Sequence, residues 1–347
     1  MTPAAWLFSR RVDLLAFGGS ALLAFALVAA AFLGGDLQER DAPAPEWVWI
    51  GTVLLIDVAH VWGTAVLVYL DPVELKRRPL LYGVVPAAAL AIGWAIASES
   101  ELWFWRALAY LAVVHFVRQQ VGFVKLYRAR AGERSLSGRV IDEGTTYAVT
   151  LGPVVWWHAN LPSSIAWMTP GDFVRGTPLV LGQAALAVSA LFFAAYAVRA
   201  ALAYARGCGQ PGKDLLVATT ALLWGTGIVL WGNDTVFTLT NVIAHGVPYA
   251  VLVMWTARQR IALDLSVSRV ARAGVLAVLF SLWGFAFVEE VLWDALVWRQ
   301  RDWLTFLPSI ESDGARPLLV AVLALPQLTH YVLDGFYWRR RNNPVLP

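Results

Sequence analysis

The sequence predicts an all-α, polytopic integral membrane protein, a single transmembrane domain of about ten helices over residues 1–347. Three observations carry this expectation. Hydrophobic residues make up 59% of the 347-residue chain and charged residues only 15%, where an ordinary soluble domain has roughly 25% charged residues. Mean hydropathy is +0.59. Apolar runs long enough to cross a bilayer recur from Leu14 to Trp338, with the charges gathered between them. Lipid offers no partner to a bare backbone, so only helices or a closed barrel can cross it, and these runs lack the alternation of strands.

Taken in order, the expected spans are Leu14–Leu33, Trp47–Leu70, Leu80–Ala97, Leu102–Val124, Val140–Trp157, Pro178–Tyr204, Leu215–Trp231, Thr235–Trp255, Val270–Val288 and Pro317–Trp338. The first follows Arg10 and Arg11 as the core of a signal peptide would, and Ala29, Ala30 and Ala31 mimic a cleavage site. It is longer than the roughly 7–15 apolar residues of such a core, which favours an uncleaved helix.

Basic residues orient the set. Arg10, Arg11, Lys76, Arg77, Arg78, Lys125, Arg128, Arg130, Arg134 and Arg139 fall on one side of a ten-span arrangement. So do Arg199, Arg206, Lys213, Arg258, Arg260, Arg269, Arg272, Arg339, Arg340 and Arg341. The opposite loops hold Asp36, Glu39, Asp41, Glu46, Glu99, Glu101, Asp172, Asp234, Glu311 and Asp313. The positive-inside rule then places both termini in the cytoplasm of a bacterial-type inner membrane. The pI of about 9.1 is an orientation signal here, and nucleic acid is not an expected partner; membrane lipids are. The loop 289–316, rich in tryptophan and charge, is expected outside the membrane as an interfacial helix or lid, and Leu161–Thr177 in a similar role. One cysteine, Cys208, excludes an internal disulfide and a thiolate cluster.

Chemistry is expected at four histidines. His60, His115 and His330 each lie thirteen residues past the first residue of their spans, and His245 lies ten past its own. At about 1.5 Å rise per residue these levels agree within about 5 Å. His158, beside Trp156 and Trp157, is expected at the membrane boundary. Each mid-span histidine has polar neighbours at helical spacing: Asp57 before His60, Gln119 after His115, Asn241 before His245, and Gln327 and Asp334 around His330. A ligating imidazole usually donates its second N–H to an oxygen, a role Asp57 and Asp334 suit. Arg118 is expected either to pair with a carboxylate, to hold an anionic group of a substrate, or to snorkel to the surface. The bland alternative for the histidines and amides is ordinary hydrogen bonding between helices.

Imidazole suits iron, copper, zinc and nickel. No span carries paired histidines or a Glu-x-x-His, so a di-iron centre lacks ligands, and one level of histidines leaves room for at most one haem. A mononuclear metal on His60, His115, His245 and His330 fits best. The segments IDVAHVWGT, VVHFVRQQVG, NVIAHGVPY and PQLTHYVLDG, each with a lone intramembrane histidine, resemble the Brp/Blh family of membrane carotenoid-cleaving dioxygenases. The resemblance covers the layout of these histidines and implies non-haem iron and O2-dependent cleavage of a polyene. The expected function is a metal-dependent, membrane-bound oxidoreductase acting on a lipid-soluble carotenoid, isoprenoid or fatty chain. A proton-coupled transporter with a His/Asp/Arg relay and a b-type haem protein are the alternatives.

Overall fold

The computed structural model describes residues 5–37, 43–161, 168–304, 314–340, 343 and 345–346. Among them every regular element is helical, and each of the ten expected spans is occupied by a helix. They are α1 (Arg10–Gly34), α2 (Glu46–Tyr69), α3 (Pro79–Glu99), α4 (Glu101–Arg130), α5 (Leu136–Ala159), α6 (Leu179–Ala205), α7 (Pro211–Trp231), α8 (Asp234–Ala262), α9 (Val275–Trp298) and α10 (Arg316–Tyr337). Eight are long and apolar enough to cross a membrane, and α10 makes nine if its two bent halves count as one span. The remaining helix, α5, opens with Arg139, Asp142 and Glu143. Leu22, Leu33, Leu80, Val198 and Leu191 stand exposed on α1, α3 and α6. Only 17% of the apolar stretches of α3 and α6 is buried, against 83% in α8. Apolar faces of that extent are stable only against lipid or another chain. The protein is an all-α, multi-pass membrane protein.

The chain, expected as a single domain, clusters into two compact units. Unit 1 comprises residues up to Thr52, Val113–Pro248 and Pro347; unit 2 comprises Val53–Ala112 and Tyr249–Leu346. Three helices, α2, α4 and α8, contribute residues to both.

In unit 1, α5 and α6 form a closely packed antiparallel pair. A Cβ on Gly152 would fall against Ser189 Oγ and 3.0 Å from the Ala185 carbonyl, so glycine lets the two backbones meet there. Ser189 Oγ donates to the Ala148 carbonyl at 2.6 Å and Thr145 Oγ1 to that of Phe192 at 3.0 Å. Where the chain enters α1, the buried Asp13 carboxylate accepts the amides of Leu7 and Phe8 and the hydroxyl of Tyr127. Asp142, fully buried, is gripped by Arg128 and Lys213, both at 2.7 Å, and by Arg199. Three basic residues that read as loop charges therefore close an ion network at the helix ends.

Unit 2 packs around Leu67, Val68, Tyr82, Tyr249, Val253, Leu333 and Tyr337. Its ends are fastened by polar groups. Asp71 caps the short helix Pro72–Arg77 and accepts Ser266 Oγ at 2.6 Å, while Glu74 accepts Tyr82 Oη at 2.7 Å. At the other end Arg316 forks onto Glu101 with bonds of 2.8 and 3.0 Å. Two departures from straight helices shape this unit. α10 bends by 40° between Arg316–Leu323 and Leu325–Tyr337, where Pro326 withholds the N–H that the preceding turn needs. α2 widens into π turns over Trp49–Val58 and Ala65–Tyr69. A level counted at a constant rise per residue does not apply to His60 or His330.

The segment expected as a loop over 289–316 begins as helix. α9 continues through Glu289 and Glu290 to Trp298 before Arg299 turns left-handed (φ 50°). Residues 305–313, with Glu311 and Asp313, lie outside the described residues, as do Glu39, Asp41, Arg341 and the stretch 162–167 of the second expected lid.

Candidate metal centre

Unit 2 brings His60 and His330 together. Both are buried, and their rings meet edge to face with centroids 4.9 Å apart. Tyr249 is the third ring of the cluster, 5.4 Å from His60 and 5.3 Å from His330. It fits because position 63 is glycine: a Cβ there would lie 2.9 Å from Tyr249 Cε1.

Each histidine has its own carboxylate one helical turn away. His60 Nδ1 lies 3.5 Å from Asp57 Oδ1, and His330 Nδ1 lies 3.6 Å from Asp334 Oδ1. The second pair is linked through a hydroxyl. Thr64 Oγ1 donates to Asp334 Oδ1 at 3.2 Å and lies 2.9 Å from His330 Nδ1. A hydroxyl has one proton to give. With that proton on the carboxylate side, the threonine oxygen accepts from His330 Nδ1–H, and the lone pair of the ring rests on Nε2. Tyr249 Oη also donates to Asp334 Oδ1, at 3.3 Å. This is how proteins prepare an imidazole as a metal ligand: one nitrogen is held by an oxygen-bearing partner and the other is left as a base.

Unit 1 holds the other two. His115 and His245 are buried, 5.0 Å apart between ring centroids, and each offers a ring nitrogen within 4.8 Å of the other's. Their support is of another kind. His245 lies flat on Phe116, 3.7 Å away at 9°. Behind it Pro248, inside α8, lacks an N–H, so the Ala244 carbonyl four residues earlier loses its helical donor. Gln120 Nε2 supplies one at 3.3 Å, its own Oε1 being fixed by Thr220 Oγ1 at 3.2 Å. Gln119 Nε2 donates to the next carbonyl, that of His245, at 2.7 Å.

The remaining expected residues divide. Asn241 is buried in the π turn before His245, where its Nδ2 donates to the Phe237 carbonyl at 3.2 Å. Among the described residues no donor reaches Asn241 Oδ1 or Gln119 Oε1. Gln327 is half-buried in the first turn of the second half of α10, and the bonds that fix His330 do not involve it. Arg118 is exposed and has no ion pair among the described residues. His158 Nδ1 binds the Val154 carbonyl of its own helix at 2.7 Å.

Two participants were not singled out from the sequence. Tyr249 stands one turn after His245, a spacing that could have flagged it. Glu289 is buried in α9, accepting Trp62 Nε1 at 2.7 Å and Trp293 Nε1 at 3.3 Å, with Trp62 stacked on Phe285 at 5.0 Å. The signal for it was the run Phe285, Glu289, Trp293 at intervals of four.

In chemical terms, buried imidazoles, two of them with a carboxylate one turn away, fit a first-row transition ion of the iron, copper or zinc kind, and the one thiol, Cys208, is exposed elsewhere. Comparison with known proteins adds no relative: no family model, no curated protein and no solved structure matches this chain.

Proposed function

We propose that the chain is an intramembrane, metal-dependent oxidoreductase that acts on a lipid-soluble substrate such as a carotenoid, an isoprenoid or a fatty chain. The metal is non-haem iron, held by His60 and His330 together with His115 and His245, the set expected from the sequence. The observation that carries this reading is the paired arrangement around His60 and His330, where each buried ring faces an acid one turn away. The Brp/Blh-like layout of the four segments points the same way and supplies the choice of iron and of O2 as oxidant. When bound, such an iron provides one-electron chemistry that amino-acid side chains lack.

The chain's own residues do the rest. Asp334, through Thr64, would hold Nδ1 of His330, and the Asp57 carboxylate stands 3.5 Å from Nδ1 of His60, close enough to orient that ring when a metal is bound. Tyr249 closes the space beside both rings and keeps water away from them. Exposed apolar faces such as that of α6 leave a hydrophobic substrate free to approach from the bilayer rather than from water.

The experiment is an absorption spectrum with elemental analysis on detergent-purified protein. Stoichiometric iron without a Soret band is expected. A Soret band would replace this reading with a b-type haem protein, and protein without metal that drives proton-coupled uptake would replace it with a transporter.

The orientation belongs to the same proposal. With basic residues at alternate helix junctions, both termini face the cytoplasm of a bacterial-type inner membrane. Reporters fused after Arg78, Arg134, Arg206 and Arg260 should read cytoplasmic, and one fused between Asp294 and Asp313 external. A cytoplasmic signal from the last would overturn the ten-crossing arrangement.

A further inference from the structure

Unit 1 has a cavity that the histidines do not use. It measures about 860 Å³ and opens beside the C-terminal end of α6, between that helix, the turn to α7 and the segment after α4. Its wall is aliphatic, built on α6 by residues such as Val198 and Leu202, which are 61% and 50% exposed. Its floor is polar: Glu133, Arg199, Arg206, Gln210, Lys213 and Asp214. Apolar wall and charged floor meet where a membrane helix ends, the level of lipid headgroups.

Two features of the floor describe what it lacks. The first is charge. Arg199 and Lys213 are partly neutralised by Glu133 and by Asp142 behind them, and Asp142 is itself shared with Arg128. Counting Arg128, Arg199, Lys213 and Arg206 against Glu133, Asp142 and Asp214 leaves one positive charge over. Arg206, exposed at the rim, has no ion pair among the described residues. The second is donors. Gln210 Oε1 and Asp214 Oδ2 are buried acceptors without a well-formed hydrogen bond among the described residues, although Asp214 Oδ1 takes Tyr196 Oη at 2.6 Å and the Tyr204 hydroxyl also interacts with that carboxylate. Buried acceptors left without a donor are costly, so a ligand that brings hydroxyls is favoured there.

From these we infer that the cavity binds an anionic glycerophospholipid whose headgroup carries hydroxyls, of the phosphatidylglycerol kind. The phosphate diester brings the single negative charge that the floor lacks and meets Arg206 and Arg199. The headgroup hydroxyls donate to Gln210 Oε1 and Asp214 Oδ2, and the acyl chains lie along Val198 and Leu202. A phosphoethanolamine headgroup also brings donors, but it is neutral overall and leaves the surplus charge in place.

The test is native mass spectrometry of the full-length protein released from detergent, titrated with phosphatidylglycerol, phosphatidylethanolamine or soluble glycerol 3-phosphate. Phosphatidylglycerol should bind at least about tenfold more tightly than phosphatidylethanolamine, and glycerol 3-phosphate should not compete with it. Arg206→Gln, at an exposed position without an ion pair among the described residues, should remove most of that preference. Gln210→Leu should weaken phosphatidylglycerol without creating a preference for the neutral lipid. Equal binding of the two lipids, or an unchanged preference in Arg206→Gln, overturns the proposal. So does displacement by glycerol 3-phosphate, which would make the site one for a soluble phosphate. Binding is read directly, so none of these outcomes depends on the metal.

Discussion

The two histidine pairs, one in each unit, are held by different physics. His330 is addressed through its ring nitrogen by Thr64 and, behind it, Asp334, while His60 has the Asp57 carboxylate 3.5 Å from Nδ1. His115 and His245 are held through their surroundings, by the face of Phe116 against His245 and by two glutamines that donate to the backbone carbonyls of Ala244 and His245. The first kind of support sets which nitrogen is a base. The second sets where the ring stands. A pair tuned by charge should respond to isosteric changes of charge, whereas a pair held by packing and backbone repair should respond to changes of shape.

The largest effect that can break this comparison is loss of a ligand. His60→Ala and His330→Ala should each remove most bound iron, and His115→Ala and His245→Ala should do the same if both pairs serve one ion. His158→Ala, whose ring is satisfied by the Val154 carbonyl, should leave the iron in place. Metal content of purified protein is the measurement. Iron retained in His115→Ala and His245→Ala but lost in the other two would confine the centre to unit 2.

Next in size are the acids. Asp334→Asn keeps the shape of the side chain and an acceptor oxygen but removes the charge that orders Thr64 and His330. Iron affinity should fall about 10–100-fold without loss of fold, and Asp57→Asn should follow it. Gln119→Leu, by contrast, removes a donor to a backbone carbonyl and should lower thermal stability while iron affinity stays within a few-fold. Equal iron affinity in the wild type and in both aspartate variants would reduce the carboxylates to neighbours in a polar interior. A smaller effect is expected at Gly63: alanine there pushes Tyr249 off both rings, and iron affinity should drop by less than in the aspartate variants.

Most of the fold was legible in the sequence because the signals are local. Span length, charge at the junctions and the isolated polar residues are all properties of single helices, and each expected span holds a helix. What was not legible depends on partners from elsewhere in the chain. Glu289 and Glu290 looked like the end of a span because acids rarely enter lipid, yet two indole N–H groups satisfy Glu289 and α9 runs on to Trp298. Arg128, Arg199 and Lys213 looked like loop charges, and only the structure shows Asp142 gathering them. Gln119 and Asn241, chosen as companions of histidines, prove to spend their amide nitrogens on backbone carbonyls. An amide at helical spacing from a histidine is visible in sequence; whether it faces a substrate or a backbone carbonyl depends on which carbonyls the rest of the chain brings to it.

That last distinction supports the smallest and sharpest prediction. If Gln120 is there because Pro248 withholds an N–H from the Ala244 carbonyl, its importance should depend on the proline. Gln120→Leu in the wild type leaves that carbonyl without its side-chain donor and should cost about 0.6–1.7 kcal/mol, the range for interhelical hydrogen bonds in membranes. Pro248→Ala restores a backbone N–H at the right position in α8, and in that background the same substitution should cost clearly less, so that the two changes are not additive. Thermal or denaturant unfolding of the four proteins in one detergent measures the coupling. Additive costs would mean that the Gln120 bond and the missing N–H are unrelated, and the amide clamp would then have to be explained by its link to Thr220 on α7 instead.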